Sequence, residues 1–557
     1  MTSTLSTPKI AARTAALYLG TAAAGLSLLG SSAFAQSNTI VGLNVKLGDL
    51  SSLTAQSRTG TFPNGTSGIA MSTTSCNNGT VNVPWLQAMQ ENHPFIGFLI
   101  CRERNGRFEQ ISDRSFVKHG FFALSNSQCT PCQQPSNGTF LGVGCSDTYG
   151  TSNNGDGFWL GPPEEINSWL GTWTAACSHF DKGEPPVAPA QQCDGVRSLT
   201  STMVNNLGPL GHKVRVNDAD FNVSGATFYY QAQYVVRAEA EANRGDNLGS
   251  RQFTATWNVP QTNKWNFSTI GAMVPGSILQ RWSGAAVTSG TNGADDGRVY
   301  IGVKVTGPTA GVYHYEYAIH NRDNHRGVGS ISIPALPCTT VSNLFFRDLD
   351  TNAANDWAMS QTDAAIVFTA PVGNALRWNT VYNIAFDSNS APSAVLATLA
   401  AADAGTGAAS FNVTTTGPAS LPSSLSYGVG TPGCFGPHNV CADPAPSVGN
   451  VFNLESNRGP ANSLALGLIG NAQDLAGFDY FGVGIQIHTN VFLSTELYTL
   501  DVPTDAAGNS SVPITVPNNP VFSGLHYYAS LVYGWLGPCA PSTFGLSSSR
   551  GLDLLIQ

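Results

Sequence analysis

Apolar and polar side chains alternate with a period of two along much of this chain. From Phe228 to Asn243, tyrosine and alanine recur at every second position, with mostly Gln, Arg and Glu between them. A strand places such residues on opposite faces, whereas a helix would mix the two sets. Comparable runs, separated by turn residues, occur at Val299–Val305, Tyr315–Ile319, Ile331–Ile333, Tyr382–Phe386, Leu464–Leu468, Val483–Ile487, Val512–Val516 and Tyr527–Tyr533. The pattern predicts an all-β chain of antiparallel, jelly-roll-like β-sandwiches.

The first 35 residues have the features of an export signal. Lys9 and Arg13 precede an apolar stretch, and a small-x-small cleavage site ends at Ala35, so we expect cleavage before Gln36. No later stretch reaches the ~18 apolar residues that a membrane helix needs. The sequence therefore predicts a protein that is secreted to the extracellular space or the outer cell surface, without a membrane-spanning segment.

The remaining chain divides by composition. The part that follows the signal holds seven of the eleven cysteines and is rich in Gly, Asn and Pro, which predicts a disulfide-rich, loop-rich module. A polar, proline-bearing segment farther along predicts a linker between two sandwiches. The expected divisions are the signal over 1–35, the N-terminal module over 36–205, a large β-sandwich over 206–415, the linker over 416–425 and a C-terminal β-sandwich over 426–557.

Charge and motifs limit the classes of function. Only 11% of the residues are charged and the formal net charge is −9, whereas nucleic-acid binding needs clustered Lys and Arg. The sequence contains no Walker loop, Rossmann fingerprint, kinase signature, GxSxG elbow or HExxH helix. We therefore expect no nucleic-acid partner and none of the activities that these motifs mark.

An odd number of cysteines leaves at least one without an intramolecular partner. The segment from Cys129 to Cys132 has CxxC spacing, but it lacks the surrounding pattern of a redox fold or a second pair at zinc spacing, so we favour structural disulfides. Near the C-terminus, we predict that Cys434 or Cys441 pairs with Cys539, which would tie the start of the last domain to its end. A local bridge between Cys434 and Cys441 is the alternative.

Several short segments of the chain resemble one group of exported proteins. They are His93–Pro94, Gly106–Ile111, Lys118–Phe122, Leu160–Glu165, Asn374–Trp378, Asn471–Ala476 and Ser548–Gly551. With these segments, most of the mature chain resembles large secreted proteins of planctomycete-type bacteria. The resemblance implies an exported, multi-domain β protein and implies nothing about its chemistry.

Polar groups of the N-terminal module form the first candidate site. Glu109, His119, His179 and Asp181 lie in a cysteine-rich region that also bears Lys118 and several tryptophans. A histidine with a carboxylate partner can serve as a catalytic base or a metal ligand, and tryptophan rings can stack on sugars. The alternative interpretation is that these groups only satisfy a small, stapled core.

Two other segments suggest metal ligands. His314, Glu316 and His320 would share one face of a strand, and the favoured interpretation is the solvent-facing side of a half-buried strand. The alternative is that His314 and Glu316, about 6.5 Å apart, begin a transition-metal site. Asp348, Asp350 and Asn352 alternate as hard oxygen donors and suggest calcium, although an ordinary turn has the same composition. Calcium is the one cofactor that the sequence suggests.

Two further features have simpler explanations. Glu239 and Glu241 would lie in line on one strand face at a separation near that of inverting glycosidases, but ion pairs on an exposed face are the favoured interpretation. The tripeptide Arg244–Asp246 has an adhesion motif that is too short to be specific.

The sequence therefore favours a non-catalytic binding or structural protein, with glycans or extracellular matrix as its expected partners. The alternative is a secreted enzyme that degrades a polysaccharide or another polymer, with its site in the N-terminal module.

Overall fold

A computed structural model describes residues 39–87, 89–135, 137–258, 264–292, 297–309, 312–336, 339–362, 364–418, 424–536 and 544–557. The expected export signal, Cys338, Cys539 and residues 419–423 of the expected linker lie outside these ranges. None of the helices in the described ranges has the length and apolar character needed to cross a membrane.

The structure confirms the all-β prediction, since strands hold 48% of the residues and helices 8%. The first strands are β1 (Val45–Asp49), β2 (Leu53–Thr59), β3 (Thr66–Met71), β4 (Thr73–Asn77), β5 (Val83–Pro84), β6 (Phe95–Arg104), β7 (Arg107–Gln110), β8 (Val117–His119), β9 (Phe140–Leu141), β10 (Ser146–Tyr149), β11 (Leu160–Gly161), β12 (Val214–Asn217), β13 (Thr227–Val235), β14 (Leu248–Asn258) and β15 (Lys264–Pro275). The next are β16 (Ala286–Thr291), β17 (Arg298–Thr309), β18 (Val312–Asn321), β19 (Val328–Pro334), β20 (Val341–Arg347), β21 (Ala358–Gln361), β22 (Ala365–Thr369), β23 (Thr380–Ser388), β24 (Ser393–Ala401) and β25 (Ser410–Gly417). The last are β26 (Ser424–Tyr427), β27 (Asn439–Asp443), β28 (Val451–Asn457), β29 (Leu464–Gly470), β30 (Gln473–Phe478), β31 (Ile487–Thr489), β32 (Leu497–Pro503), β33 (Ser510–Thr515), β34 (His526–Gly534), β35 (Leu546–Ser548) and β36 (Gly551–Leu555).

The helices are short. The α-helices are α1 (Thr151–Asn154), α2 (His179–Lys182), α3 (Ser201–Asn206) and α4 (Asp218–Phe221). Single 3₁₀ turns lie at Gly157–Trp159, Pro163–Glu165, Pro189–Gln191, Glu241–Asn243, Ile278–Arg281 and Pro520–Phe522. Three of these turns, between residues 157 and 191, lie in the N-terminal module.

A seven-stranded antiparallel sheet organises the first part of the fold. Its order is β11-β8-β6-β13-β14-β15, with β7 paired to the outer part of β6. One face packs on two three-stranded sheets, β1-β4-β10 and β12-β3-β2, around a core that includes Trp85 and Tyr230. β6 lies in the expected N-terminal module and β13 in the expected large sandwich, so their pairing links the two regions. The domain division at residues 205–206 itself stays a prediction.

The middle of the chain forms a β-sandwich of two five-stranded sheets. Their orders are β16-β17-β18-β23-β20 and β21-β22-β19-β24-β25, and Tyr315, Tyr317 and Ile331 are buried between them. The other face of β18 is also covered, because Ala318 packs with Leu99 of β6 in a second apolar layer. Glu316 and His320 on that face are therefore buried, and the expectation of a solvent-facing strand surface was wrong.

The C-terminal region is a smaller sandwich. A six-stranded sheet, β26-β36-β34-β29-β32 with β35 beside β34, faces the three-stranded sheet β27-β28-β33. Leu454, Leu531 and Leu554 are among the fully buried residues between them. The terminal strand β36 is paired on both sides, with β26 and with β34.

By its sequence, Trp85–Glu91 is the likeliest helix of the N-terminal module, but this prediction was wrong, because the described residues 85–87 and 89–91 are not helical. The Trp85 backbone N–H donates to the Thr139 carbonyl at 2.8 Å, next to the β5–β9 pair, and its indole N–H donates to the Tyr149 hydroxyl at 2.8 Å. The Trp85 ring is therefore fully buried, and its backbone and indole hydrogen bonds are made to residues far along the chain and not within a helix.

The turn after β13 differs from the expected long strand. β13 ends at Val235, and Ala238 has a φ of 64°, so the chain folds back. The Glu239 carboxylate is fully buried and accepts hydrogen bonds from the Val45 N–H at 2.7 Å and from the Asn247 side chain. Glu239 is therefore not part of an exposed ion-pair face, whereas Glu241 does pair with Arg298, at 2.7 Å.

Glu239 gives the protein a specific pH dependence. Burial raises its pKa to about 7, so the folded protein keeps a proton that the unfolded chain releases near its ordinary value of about 4.3. This contribution to stability therefore falls as the pH rises from about 4.3 through 7. Between pH 4 and pH 8, we expect the free energy of unfolding of the wild type to fall by on the order of 2–3 kcal/mol more than that of Glu239→Gln in urea denaturation.

Glu241→Gln is the matched control with the opposite sign. Burial opposes ionisation of Glu241, but Arg298 and Arg322 outweigh it and hold its pKa below the usual range. Glu241 therefore contributes stability above its ordinary pKa, which the control variant loses at pH 8. The same pH dependence in the wild type and in Glu239→Gln would contradict the buried, protonated state of Glu239.

A buried ion network joins the N-terminal module to the middle sandwich. Asp323 is 2% exposed and its carboxylate lies 3.0 Å from Arg322 and 3.4 Å from Arg244. Its other oxygen accepts the Arg298 N–H at 2.8 Å, and its carbonyl accepts the Ser168 hydroxyl at 2.9 Å. Arg244 is buried here, so the arginine of the tripeptide Arg244–Asp246 is not presented to a partner.

The disulfides confirm the predicted structural use of cysteine in the N-terminal module. The two cysteines of the CxxC segment pair with different partners, because Cys129 bonds Cys76 and Cys132 bonds Cys145. A third disulfide joins Cys177 to Cys193. Among the described cysteines, Cys101 is free, and it is buried in β6.

The C-terminal disulfide stays a prediction. Cys434 and Cys441 are each disulfide-bonded, but Cys539 lies outside the described residues. We expect non-reducing peptide mapping to recover a peptide that joins Cys434 or Cys441 to Cys539, because this bond would close a loop of roughly 100 residues and stabilise by on the order of 4–5 kcal/mol. Recovery of a Cys434–Cys441 peptide with an unmodified Cys539 would show the local bridge instead.

Candidate metal centre

The loop that carries His179 is held in place from both ends. The Cys177–Cys193 disulfide closes it, and the Ser178 hydroxyl caps the short helix α2 by accepting the Asp181 N–H at 3.3 Å. The Asp181 carboxylate in turn accepts the N–H groups of Cys177 at 2.8 Å and Gly195 at 3.1 Å. One oxygen of Asp181, Oδ2, thus holds the two ends of the loop together.

His179 presents an open nitrogen at the start of α2. Its backbone N–H donates to Glu165 Oε1 at 2.7 Å, and its ring meets the Phe116 ring edge to face, with centroids 5.4 Å apart. Among the described residues, the buried Nε2 atom has no hydrogen-bond partner. Burial, more than the neighbouring His212, lowers the pKa of His179 to about 4. The ring is therefore neutral near pH 7 and has a lone pair to offer.

The His212 ring is oriented by a hydrogen bond at Nδ1. This atom lies 2.9 Å from the Gly157 carbonyl oxygen, and the ring stacks on the Phe116 ring with centroids 4.3 Å apart. Because a carbonyl only accepts, Nδ1 carries a proton, which leaves Nε2 as the free ligand atom. The residue has a left-handed φ of 59°, a conformation that is costly for a non-glycine residue and common at functional sites.

The two histidines converge on one carboxylate. Glu184 Oε2 lies 2.7 Å from His212 Nε2 and 3.5 Å from His179 Nε2, and the ligand atoms of all three residues are within 4.8 Å of one another. With Nδ1 of His212 protonated, a short contact between Nε2 and a carboxylate is repulsive unless a second proton or a metal ion lies between them. The arrangement therefore suits a cation.

The donor set and distances fit a tetrahedral transition-metal ion. Zinc–ligand bonds of 2.0–2.1 Å give ligand–ligand distances of about 3.3 Å in a tetrahedron. The separation of 3.5 Å between His179 and Glu184 is close to that value, and the separation of 2.7 Å between His212 and Glu184 must open slightly. Two imidazoles and one carboxylate favour zinc over calcium or magnesium, which prefer oxygen ligands alone. The Glu184 side chain is 36% exposed, so solvent reaches the centre.

A second buried polar cluster lies in the same module. His93 Nδ1 is 2.5 Å from the Gln90 carbonyl, so His93 Nε2 accepts the Nδ1–H of His119 at 2.8 Å. His119 Nε2 is therefore unprotonated, and it has no hydrogen-bond partner in the described part of the chain. Burial holds the pKa of His119 well below its usual range. His119 is a neutral, buried ring and not one of the three converging ligands.

Lys118 is fully buried among aromatic rings. Its Nζ lies 4.1 Å from the Phe121 centroid and 5.5 Å from that of Trp159. Burial lowers its pKa to about 6, so the amine is mostly neutral near pH 7. The remaining predicted member, Glu109, is far along the sheet in an ion network with Arg102 and Arg347, the latter at 3.2 Å. Of the predicted N-terminal candidates, only His179 belongs to the metal centre.

The structure brings His314 and Glu316 together but gives the carboxylate another partner. Arg107 binds both oxygens of Glu316, at 2.7 and 2.8 Å, in a bidentate pair between β7 and β18. His314 Nδ1 lies 2.6 Å from Asp387, and its Nε2 lies 3.3 Å from Glu316. The pair with Arg107 links the two sheets, and it satisfies the oxygens that a metal would need.

The suggested calcium ligands form consecutive turns. Asp348 accepts the Asp350 N–H at 2.9 Å, Asp350 accepts the Asn352 N–H at 2.6 Å and Asn352 accepts the Ala354 N–H at 3.3 Å. Asp348 is buried and also binds the Asn374 side chain. Among the described residues, His179, Glu184 and His212 are the one group of three His, Cys, Asp or Glu residues with ligand atoms within 4.8 Å.

Sequence reasoning missed Glu184 and His212. His179 and Glu184 are five positions apart on a loop, and His212 lies beyond α3, so no regular ligand spacing marks them. The signals that could have identified them are weak: a glutamate between Cys177 and Cys193, and a histidine after a glycine just beyond the expected end of the N-terminal module.

Comparisons with known proteins do not assign the chain to a family. No protein-family model and no curated protein matches it. The major pilin subunit of Bacillus cereus is 10% identical over 62% of this chain and 84% of its own, with a TM-score of 0.17. Escherichia coli alpha-2-macroglobulin activated by porcine elastase is 8% identical over 93% of this chain and 35% of its own, with a TM-score of 0.14. At these TM-scores, neither similarity supports a statement about fold or function.

Proposed function

We propose that this protein is an exported surface or matrix component whose N-terminal module binds one divalent transition-metal ion, with zinc as the best match. The convergence of His179, Glu184 and His212 on a common point carries the proposal. The surrounding construction supports it, because the disulfide loop and the Gly157 carbonyl hold the two histidines with their free nitrogens directed at the carboxylate. Preorganised ligands with an oriented second nitrogen are typical of metal sites.

Export and the extracellular location are part of the same proposal. Three disulfides in the N-terminal module support an oxidising compartment. Glycans or extracellular matrix remain the proposed partners of the sandwiches. In this account, the metal centre serves to lock the loops of the N-terminal module.

The proposal predicts one zinc ion per chain. We expect isothermal titration of the chelator-treated mature protein with Zn²⁺ to give a stoichiometry near one, and titration with Ca²⁺ to give no binding at the same site. His314→Ala is the matched control, because it removes the histidine of the other His–Glu pair and leaves the three ligands intact. A wild-type protein that takes up no zinc, or a control that loses zinc, would overturn the assignment.

The second candidate is a secreted, metal-dependent hydrolase that acts on a polysaccharide or another polymer. Three protein ligands leave the fourth position of a tetrahedral ion for water, which is the composition of hydrolytic zinc sites. A polar pocket of about 450 Å³, lined by Asp156, Gly157 and Lys213 among others, borders the backbone of His212. Zinc-dependent release of soluble products from glycans or proteins, lost in Glu184→Gln, would favour this candidate over the non-catalytic one.

A further inference from the structure

The C-terminal sandwich contains a cavity that its smaller sheet leaves uncovered. The six-stranded sheet is wider than the three-stranded sheet that faces it, so the two cannot close over their full width. At one end, beside the segment that follows β33, a cavity of about 310 Å³ opens between the sheets. Its walls are formed by Phe452, Ile469, Tyr498, Thr499, Leu500, Ile514, Thr515, Val516, Pro517, Phe522, Tyr527, Leu554 and Ile556.

The interior of the cavity is apolar. Its deepest residues, including Phe452, Leu554 and Ile556, are at most 5% exposed and belong to the core of the sandwich. Among the described residues, no charged side chain lines it. Apolar lining atoms of this kind lose packing partners unless a molecule fills the cavity. A volume of this size is within the range of small-molecule sites, about 300–1,000 Å³.

One acidic group stands beside the cavity. The Tyr527 hydroxyl, on the wall, donates a hydrogen bond to Glu496 Oε2 at 2.7 Å. An ionised Glu496 disfavours a carboxylate or sulfate head group near this hydroxyl, because like charges repel at short range. The lining therefore accepts hydrocarbon, and the neighbouring charge selects against anionic amphiphiles such as fatty acids.

We propose that this cavity binds an uncharged lipophilic small molecule, with its hydrocarbon part between the two sheets. The proposal is independent of the metal centre, which lies in the N-terminal module. It assigns the C-terminal sandwich a ligand of defined chemistry: apolar, without a negative charge and small enough for the cavity.

The test uses the mature protein and the uncharged fluorophore N-phenyl-naphthylamine, whose emission rises in apolar surroundings. We expect saturable binding, displacement by decanol and at least about tenfold weaker displacement by decanoate. Ile514→Trp places a large ring on the inward face of β33, beside Phe452 on the cavity wall, and is expected to weaken binding at least about tenfold. Leu466→Trp is the matched control, because Leu466 is exposed on the neighbouring strand β29 and does not line the cavity.

A second variant tests the charge. Glu496→Gln keeps a hydrogen-bond acceptor for Tyr527 but removes the negative charge, so the preference for decanol over decanoate should narrow. The proposal is overturned if the fluorophore does not bind, if Ile514→Trp binds it as well as the wild type does, or if decanoate competes as well as decanol. Self-association that Ile514→Trp abolishes would also overturn it, since a second copy of the chain would then be the occupant.

Discussion

Asp323→Ala is expected to destabilise the protein by about 3–5 kcal/mol, the usual effect of breaking a buried ion network. Asp323 is 2% exposed and is the shared partner of Arg322 and Arg244. Burial opposes its ionisation, but these two guanidinium groups outweigh burial and hold its pKa below the usual range. Removing the carboxylate leaves both cations buried without it, and it also leaves the Arg298 N–H without its acceptor. Urea denaturation at pH 7, followed by tryptophan fluorescence, measures the loss.

Two variants separate this effect from a general cost of substitution. Asp323→Asn keeps the shape and one acceptor but removes the charge, so it should fall between the wild type and Asp323→Ala. Arg377→Ala breaks the ion pair with Asp403, whose side chains are 33% and 52% exposed, and exposed pairs contribute about 0–1 kcal/mol. A loss of less than about 1 kcal/mol in Asp323→Ala would show that the network does not stabilise the junction.

His212→Ala is expected to weaken zinc binding more than about 100-fold, which exceeds the usual effect of changing an outer-shell partner. The substitution removes one of three ligands and leaves His179 and Glu184 without the arrangement of three donors that a tetrahedral ion needs. In the wild type, zinc at 100 times its dissociation constant should stabilise the folded state by about 2.7 kcal/mol. The variant should gain almost none of this stabilisation at the same zinc concentration.

Glu184→Gln is a second ligand variant that distinguishes the loss of a zinc ligand from a folding defect in His212→Ala. Glu184 is partly exposed, and glutamine has nearly the same shape, so this variant should fold like the wild type and still bind zinc weakly. His526→Ala, which removes an exposed histidine paired with Asp553, should keep the full zinc-dependent stabilisation. If thermal unfolding shows the same zinc-dependent shift in Glu184→Gln as in the wild type, the carboxylate is not a ligand.

The sequence predicted the strands of this fold better than it predicted the layers that pack on those strands. The alternation from Tyr315 to Ile319 correctly placed the two tyrosines in a core. The same pattern assigned Glu316 and His320 to solvent, because alternation reveals two faces but not a second layer above the polar one. That layer comes from β6 and β7, more than two hundred positions earlier, and Arg107 of β7 forms the ion pair with Glu316.

The turn after β13 shows the same limit in the backbone. Ala238 and Ala240 continue the alternation of the strand, so nothing local marks its end at Val235. The turn is stabilised because the Glu239 carboxylate accepts hydrogen bonds from the Val45 N–H and the Asn247 side chain, and both bonds depend on tertiary structure. Sequence periodicity cannot show hydrogen-bond partners that only the folded chain brings together.

The metal centre could be predicted only in part. His179 was a candidate because a histidine lay near carboxylates in a disulfide-rich module. Its actual partners, Glu184 and His212, come together through the Cys177–Cys193 loop and the contact of His212 with Gly157. Neither the pairing of the cysteines nor that contact can be read from residue spacing.

X-ray absorption at the zinc edge of the zinc-loaded mature protein measures the number, type and distance of the metal ligands. We expect a four-coordinate ion with two imidazole ligands and one carboxylate, at about 2.0–2.2 Å, and a water molecule in the remaining position. Glu184→Gln and His212→Ala should each change this spectrum, whereas His314→Ala should leave it unchanged. Sulfur scattering at about 2.3 Å, or an ion without imidazole ligands, would contradict the assignment of His179, Glu184 and His212 as the metal centre.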